Sequence, residues 1–165
     1  MEKVRLGRTN IVVNKNGFGA LPVQRVSKED AQVILRKAYE NGIQFFDSAR
    51  AYSDSEEKIG LALSDVRENI FIATKTMATT VEDFWQDLEM SLKMLKTDYI
   101  DIYQFHNPSF CPKPGDGSGL YEAMLEAKKQ GKIRYIGLTN HRLHVAREAV
   151  ECGLYDTLQF PFSYL

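Results

Sequence analysis

Apolar positions along this chain follow two periods in turn. Stretches such as "NIFIATKT" and "DYIDIYQFH" are apolar at most positions, the mark of strands buried on both faces. Between such runs the period lengthens. In "TTVEDFWQDLEMSLKMLK", Phe84, Leu88, Leu92 and Leu95 form a helical stripe, and Thr79 with Glu82 predicts the cap. In "SKEDAQVILRKAYENG", Ser27 and Asp30 predict a helix start and Gly42 a stop, with Ala31, Ile34, Leu35 and Ala38 on one face. "SDSEEKIGLALS" predicts a short helix opened by a Ser53–Glu56 capping box. "GLYEAMLEAKKQGK" and "HRLHVAREAVECG" predict two more helices. "IQFFDSA", "IRYIGLTN" and "DTLQFPF" predict strands, and "NGFGA" an earlier one closing at Pro22.

Strand and helix alternate without a break, which predicts a parallel sheet with crossover helices. Before it, "GRTN" joins "VRL" to "IVV" and predicts an N-terminal β-hairpin over residues 1–14. About six parallel strands follow. No linker-like composition divides the chain, so residues 1–165 read as one domain. The one long loop, Asn107 to Gly119, carries prolines and glycines that bar regular structure.

Composition narrows the function. A net charge of -1 over 165 residues gives no case for nucleic acid or an anionic membrane surface. No apolar run approaches the ~20 residues of a membrane span. "MEKVRLGRTN" lacks the apolar core of a secretory signal. Cys111 and Cys152 are too few for a disulfide framework or a metal cluster, and read as reduced thiols. A cytoplasmic protein with no metal site is expected.

The polar residues at strand ends then stand out. Asp47, Lys75 and His106 end three successive strands, Thr139 and Asn140 end the next, and Gln159 lies in the last. Parallel strands bring these ends to one face of the sheet, where such folds bind ligands. Each has a plainer explanation taken alone. Asp47 can satisfy loop amides, Lys75 can be solvated, His106 can belong to a turn, and Thr139 and Asn140 can cap a helix. Tyr52 can pack as an ordinary aromatic and Gln159 as a satisfied amide. None of these readings makes the residues converge. Together, Asp47, Tyr52, Lys75 and His106 suit a proton relay at a carbonyl or alcohol. A phenol near pH 7 needs an ammonium to lower its pKa from ~10, a carboxylate to hold that ammonium, and a neutral imidazole to orient the oxygen.

At these residues the chain resembles the aldo-keto reductases. The matching segments are "FFDSARAYSDSEEKIGLAL", "IFIATKT", "LKTDYIDIYQFHNP", "GKIRYIGLTNH" and "LQFPFSYL". The resemblance covers nearly the whole chain. It implies a (β/α) TIM-type barrel with the hairpin as its bottom plug. It also implies NAD(P)H-dependent reduction of an aldehyde or ketone, with NADP(H) the expected cofactor and NAD(H) the alternative. Carried over, Tyr52 is the general acid, Lys75 and Asp47 tune it, and His106 places the carbonyl. Thr139, Asn140 and Gln159 would hold the nicotinamide carboxamide. Thr139 stands where serine is commonest in the family, with the hydroxyl kept. "GFGALPVQRV" resembles more narrowly a bacterial branch carrying an appended ferredoxin-like iron–sulfur segment, although no residue set here could ligate such a cluster.

Length is the departure. A closed eight-stranded barrel takes ~250 residues, so the expectation is a partial barrel truncated to about six strands. It should lack most of the dinucleotide site and have weak or no activity alone. Two open sheet edges predict self-association or pairing with a C-terminal partner segment. Two other function classes fit the same fold: a nucleotide-sensing or scaffold subunit that assembles with a partner, and a phosphate-binding isomerase barrel.

Overall fold

The computed structural model describes residues 2–161. Strands β1 (Lys3–Arg5) and β2 (Val12–Asn14) pair antiparallel, with Val4 opposite Val13. The chain then runs through β3 (Phe18–Gly19), a 3-10 turn (Leu21–Arg25), α1 (Lys28–Glu40), β4 (Phe45–Asp47), α2 (Ser55–Leu63) and a second 3-10 segment (Ser64–Asn69). It continues through β5 (Phe71–Thr76), α3 (Val81–Leu95), β6 (Ile100–His106), α4 (Leu120–Lys129), β7 (Ile133–Thr139), α5 (Leu143–Glu151) and β8 (Thr157–Gln159). Strands β3 to β8 form one sheet in chain order, every pair parallel. This is the expected six-stranded curled part of a (β/α) barrel. Phe162, assigned to the last strand from sequence, lies outside the described residues.

The pleat sorts side chains to two sides. Phe46, Ile72, Tyr103, Phe105, Ile136 and Leu138 face outward and pack under Leu35, Ile59, Phe84, Leu88, Met124 and Val145 of the helices. Burying each large apolar side chain contributes about 1.5–3 kcal/mol. Inside the curl, Ala73 and Ile102 meet Ile11 and Val13 of the hairpin, flanked by Leu6, Phe45, Phe71 and Tyr135. The hairpin expected from sequence thus packs inside the curl. Gly7 makes that fit possible: its φ is +52°, and an added Cβ would lie 2.2 Å from the Asp156 carbonyl oxygen.

Four local expectations need correction. Helix α1 does start on Ser27, whose hydroxyl accepts from the Asp30 N–H at 3.0 Å, but Ile34 is solvent-exposed rather than core. Helix α3 is capped by Thr80 accepting from the Asp83 N–H at 3.1 Å, one residue later than Thr79 and Glu82. The chain reads Thr-Thr-x-Glu-Asp, so both registers satisfy the capping pattern and packing of the Phe84 stripe selects one. The Ser53–Glu56 capping box does not form: Ser53 is left-handed at φ +40°, and Glu56 is wholly buried with partners elsewhere. The "NGFGA" strand is also short, since Pro22 already sits in the 3-10 turn. Cys111 and Cys152 are free thiols, and burial pushes the Cys111 pKa up to about 12. Among the described residues no helix is long and apolar enough to cross a membrane.

Candidate active site

The strand ends converge as the topology requires. Asp47 is the last residue of β4, and the ladder to β5 runs on past it: the Ser48 and Arg50 N–H groups donate to the Ala73 and Lys75 carbonyls at 2.8 and 2.9 Å. Lys75 on β5 points inside the curl and is 2% exposed. Its ammonium donates to Asp47 Oδ2 at 2.7 Å and to the Ser48 carbonyl at 2.6 Å. The same Nζ stands 5.1 Å from the centroid of the Tyr52 ring. His106, ending β6, meets Tyr52 edge-on with ring centroids 5.6 Å apart and planes at 86°. The residues after Tyr52 and His106, Ser53 and Asn107, are both left-handed, at φ +40° and +52°. Such a conformation costs a non-glycine residue roughly 1–2 kcal/mol. Here it turns the chain away sharply at both points where a ring is presented.

Tyr52, Lys75, His106, Thr139, Asn140 and Gln159 line one cavity of about 220 Å³, with His141, Phe160 and Pro161. Asp47 is set deeper. It lines a neighbouring cavity of about 350 Å³ inside the curl, shared with Gln104 and Gln159. It reaches the relay through its bond to Lys75. All seven residues singled out from sequence therefore gather at one end of the sheet, Asp47 below the other six.

The three residues that the resemblance assigns to a carboxamide differ in freedom. Asn140 is buried and already engaged: its amide donates to the Pro108 carbonyl at 2.8 Å and its oxygen accepts from the Arg142 N–H at 2.7 Å. The Thr139 hydroxyl accepts from the Asn107 N–H at 3.2 Å and keeps its own proton to donate. Gln159 is exposed on the edge strand, opposite Thr139 in the β7–β8 register. A carboxamide, which both donates and accepts, matches this set of one hydroxyl and two amides.

Electrostatics correct one expectation. The Tyr52 pKa is raised, by burial first and by the Asp47 charge second, not lowered by Lys75. The ammonium lies over the ring face, and its charge is largely spent on Asp47 and the Ser48 carbonyl. The phenol is thus fully protonated at neutral pH. Burial lowers the Lys75 pKa, while Asp47 and then Glu56 oppose that shift. Burial and then the Lys75 charge lower the His106 pKa, which keeps the imidazole neutral at pH 7, as expected. Its Nδ1 is buried with no hydrogen-bond partner among the described residues.

Two residues at the site were not singled out from sequence. Gln104 donates to Asp47 Oδ1 at 3.4 Å. Its signal was the strand period, because it sits two residues before His106 on the same inward row. Gly137 opposite leaves it room, since a Cβ there would lie 2.8 Å from Gln104 Cγ. Glu56 lies behind the relay and had been assigned to a helix cap.

The family model described as "Aldo/keto reductase family" matches residues 15–164. The chain belongs to the aldo/keto reductase family. Among curated relatives it is 31% identical to the uncharacterized oxidoreductase YqkF of Bacillus subtilis, over 99% of this chain and 56% of that one. It is 34% identical to methylglyoxal reductase DkgA of Escherichia coli O157:H7, over 79% of this chain and 48% of that one. The aldo-keto reductase AKR11C1 of Bacillus halodurans, solved in its holo form, superposes with a TM-score of 0.86 at 28% identity. That match covers 100% of this chain and 59% of the solved one. This aldo/keto reductase chain spans about half the length of the curated relatives it matches.

Proposed function

We propose that this chain carries the proton-relay part of an oxidoreductase that reduces an aldehyde or ketone to an alcohol with NAD(P)H, NADP(H) being the expected cofactor. The observation that carries the reading is the convergence of Tyr52, the Lys75–Asp47 pair and His106 on one cavity. The naming of a relative as a methylglyoxal reductase supports small carbonyl compounds as the substrate class.

In this reading the carbonyl oxygen sits against the Tyr52 hydroxyl and the His106 ring. His106 is neutral, and with Nδ1 buried it meets the oxygen through Nε2, which fixes the carbonyl's direction. A bound nicotinamide would supply the hydride, its carboxamide held by Thr139, Asn140 and Gln159. As negative charge builds on the oxygen, Tyr52 gives up its proton. The Lys75 ammonium stands 5.1 Å from the centroid of the ring that then carries the charge. Asp47 holds Lys75 charged and in place. The raised Tyr52 pKa suits an acid that must be loaded before the reaction.

The six-stranded sheet ends in two edges, β3 and β8. Pairing with a second copy or with a C-terminal segment would cover them. We expect multiple species on size-exclusion chromatography at high concentration and only slow turnover by the chain alone. The free thiols support a reducing, cytoplasmic setting.

The test is product formation from methylglyoxal and NADPH over long incubation, read by mass spectrometry, for the chain and for Tyr52→Phe. Alcohol product from the chain, falling by about 10²-fold or more in the variant, is the expected result. Equal product from both contradicts the reading.

A further inference from the structure

Glu56 is a carboxylate with no exposed surface, set behind the relay on the outer side of the sheet. It accepts from the Thr74 hydroxyl at 2.6 Å and from the Ser91 hydroxyl at 2.8 Å, both on Oε1. Its Oε2 pairs with the Arg50 guanidinium. These partners come from β5, from α3 and from the loop between β4 and α2. Every one is a donor, which is the complement an ionised carboxylate needs. Thr74 is the residue before Lys75, and the Arg50 N–H donates to the Lys75 carbonyl at 2.9 Å. Glu56 is therefore bonded to the side chains of two residues that border Lys75, the one before it in the chain and the one whose N–H holds its carbonyl. Tyr52 lies in the loop that Arg50 begins and Glu56 closes, and its own carbonyl accepts from the Ser55 N–H at 2.9 Å.

We propose that Glu56 is a positioning residue for the Tyr52–Lys75 pair: its buried carboxylate pins β5 to the Tyr52 loop and stands behind the Lys75 ammonium. This rests on the proton-relay reading above and deepens it. The charges around both groups are consistent. Lys75 has Asp47 from β4, His106 from β6 and the Tyr52 ring on its own side of the sheet, and Glu56 from α2 behind it; Asp47 and Glu56 favour its ammonium, and its charge disfavours protonation of His106. Glu56 faces Arg50, Asp87 from α3 and Tyr103 from β6. Burial and Asp87 oppose its ionisation, while Thr74, Arg50 and Ser91 support it.

The test is a ¹³C-lysine NMR titration of the intact chain, the Lys75 signal being assigned by its loss in Lys75→Arg. In Glu56→Gln, which keeps shape but not charge, the Lys75 pKa should fall by on the order of one unit. In Glu56→Asp it should recover at least half of that fall. A Glu56→Gln titration that superimposes on the unaltered chain overturns the proposal. So does an equal shift in both variants, which would mark a merely structural role. Should Glu56→Gln not fold, the Glu56 side-chain carboxyl ¹³C of the unaltered chain decides. A carboxylate signal at pH 7 supports the proposal, and a carboxylic acid signal overturns it. No substrate enters these measurements, so carbonyl reduction unchanged in Tyr52→Phe would defeat the relay reading without obscuring this result.

Discussion

On the β4–β6 side of the rim, Lys75 is 2% exposed and bonds both Asp47 and the Ser48 carbonyl. On the β7–β8 side, Gln159 is exposed on a three-residue edge strand. The first region is flanked on both sides by paired strands; the second is the end of the sheet. Polar groups in the first are held by the fold before any ligand arrives. Those in the second divide between Asn140, which the fold already uses, and Gln159, which it leaves open. The Asp47–Lys75–Tyr52–His106 geometry is thus built into the sheet's interior, while Gln159 lies open on β8.

The sharpest way to break this contrast is to remove a partner from each side. Asp47→Ala leaves the Lys75 ammonium buried with only a carbonyl, and should cost about 3–5 kcal/mol in urea unfolding. A loss below about 1 kcal/mol would mean the pair is solvated rather than locked in. Thr139→Val removes one acceptor from the Asn107 N–H and should cost about 1 kcal/mol by the same measurement. His106 gives a pH signature. Its folded pKa lies below the ordinary 6.5, so the unfolded chain binds more protons below that pH. Stability from this group is full above pH 6.5 and is lost as pH falls through the window beneath it. His106→Gln should flatten that part of a melting-temperature profile taken between pH 5 and 7.5. Gln159→Ala should change stability by no more than about 0.5 kcal/mol, the mark of an exposed side chain.

The sequence revealed the larger pattern because burial on both faces writes itself into the strands. The order of elements, the hairpin, the α3 stripe and the strand-end residues all follow from period and position. What it hid were choices between local rules of equal standing. Thr79 and Thr80 both fit a cap, and only the packing of Phe84 decides. Ser53 and Glu56 match a capping box, yet Glu56 has stronger partners in Thr74, Ser91 and Arg50, brought near by strands far along the chain. The Tyr52 pKa depends on whether Lys75 meets the ring face or the hydroxyl, a distance no residue pattern contains. Gln104 was legible, as a polar residue in step with His106, but an apolar strand drew attention to its end rather than its middle.

The most direct test follows ¹H–¹⁵N signals of the His106 ring and of the Asn140 and Gln159 side-chain amides while NADPH is added. One small molecule bridging both sides of the rim should move all three along a single binding curve, with Tyr52→Phe leaving the curve in place. Signals that stay still at saturation, or that follow separate curves, would mean that the two sides do not share a ligand.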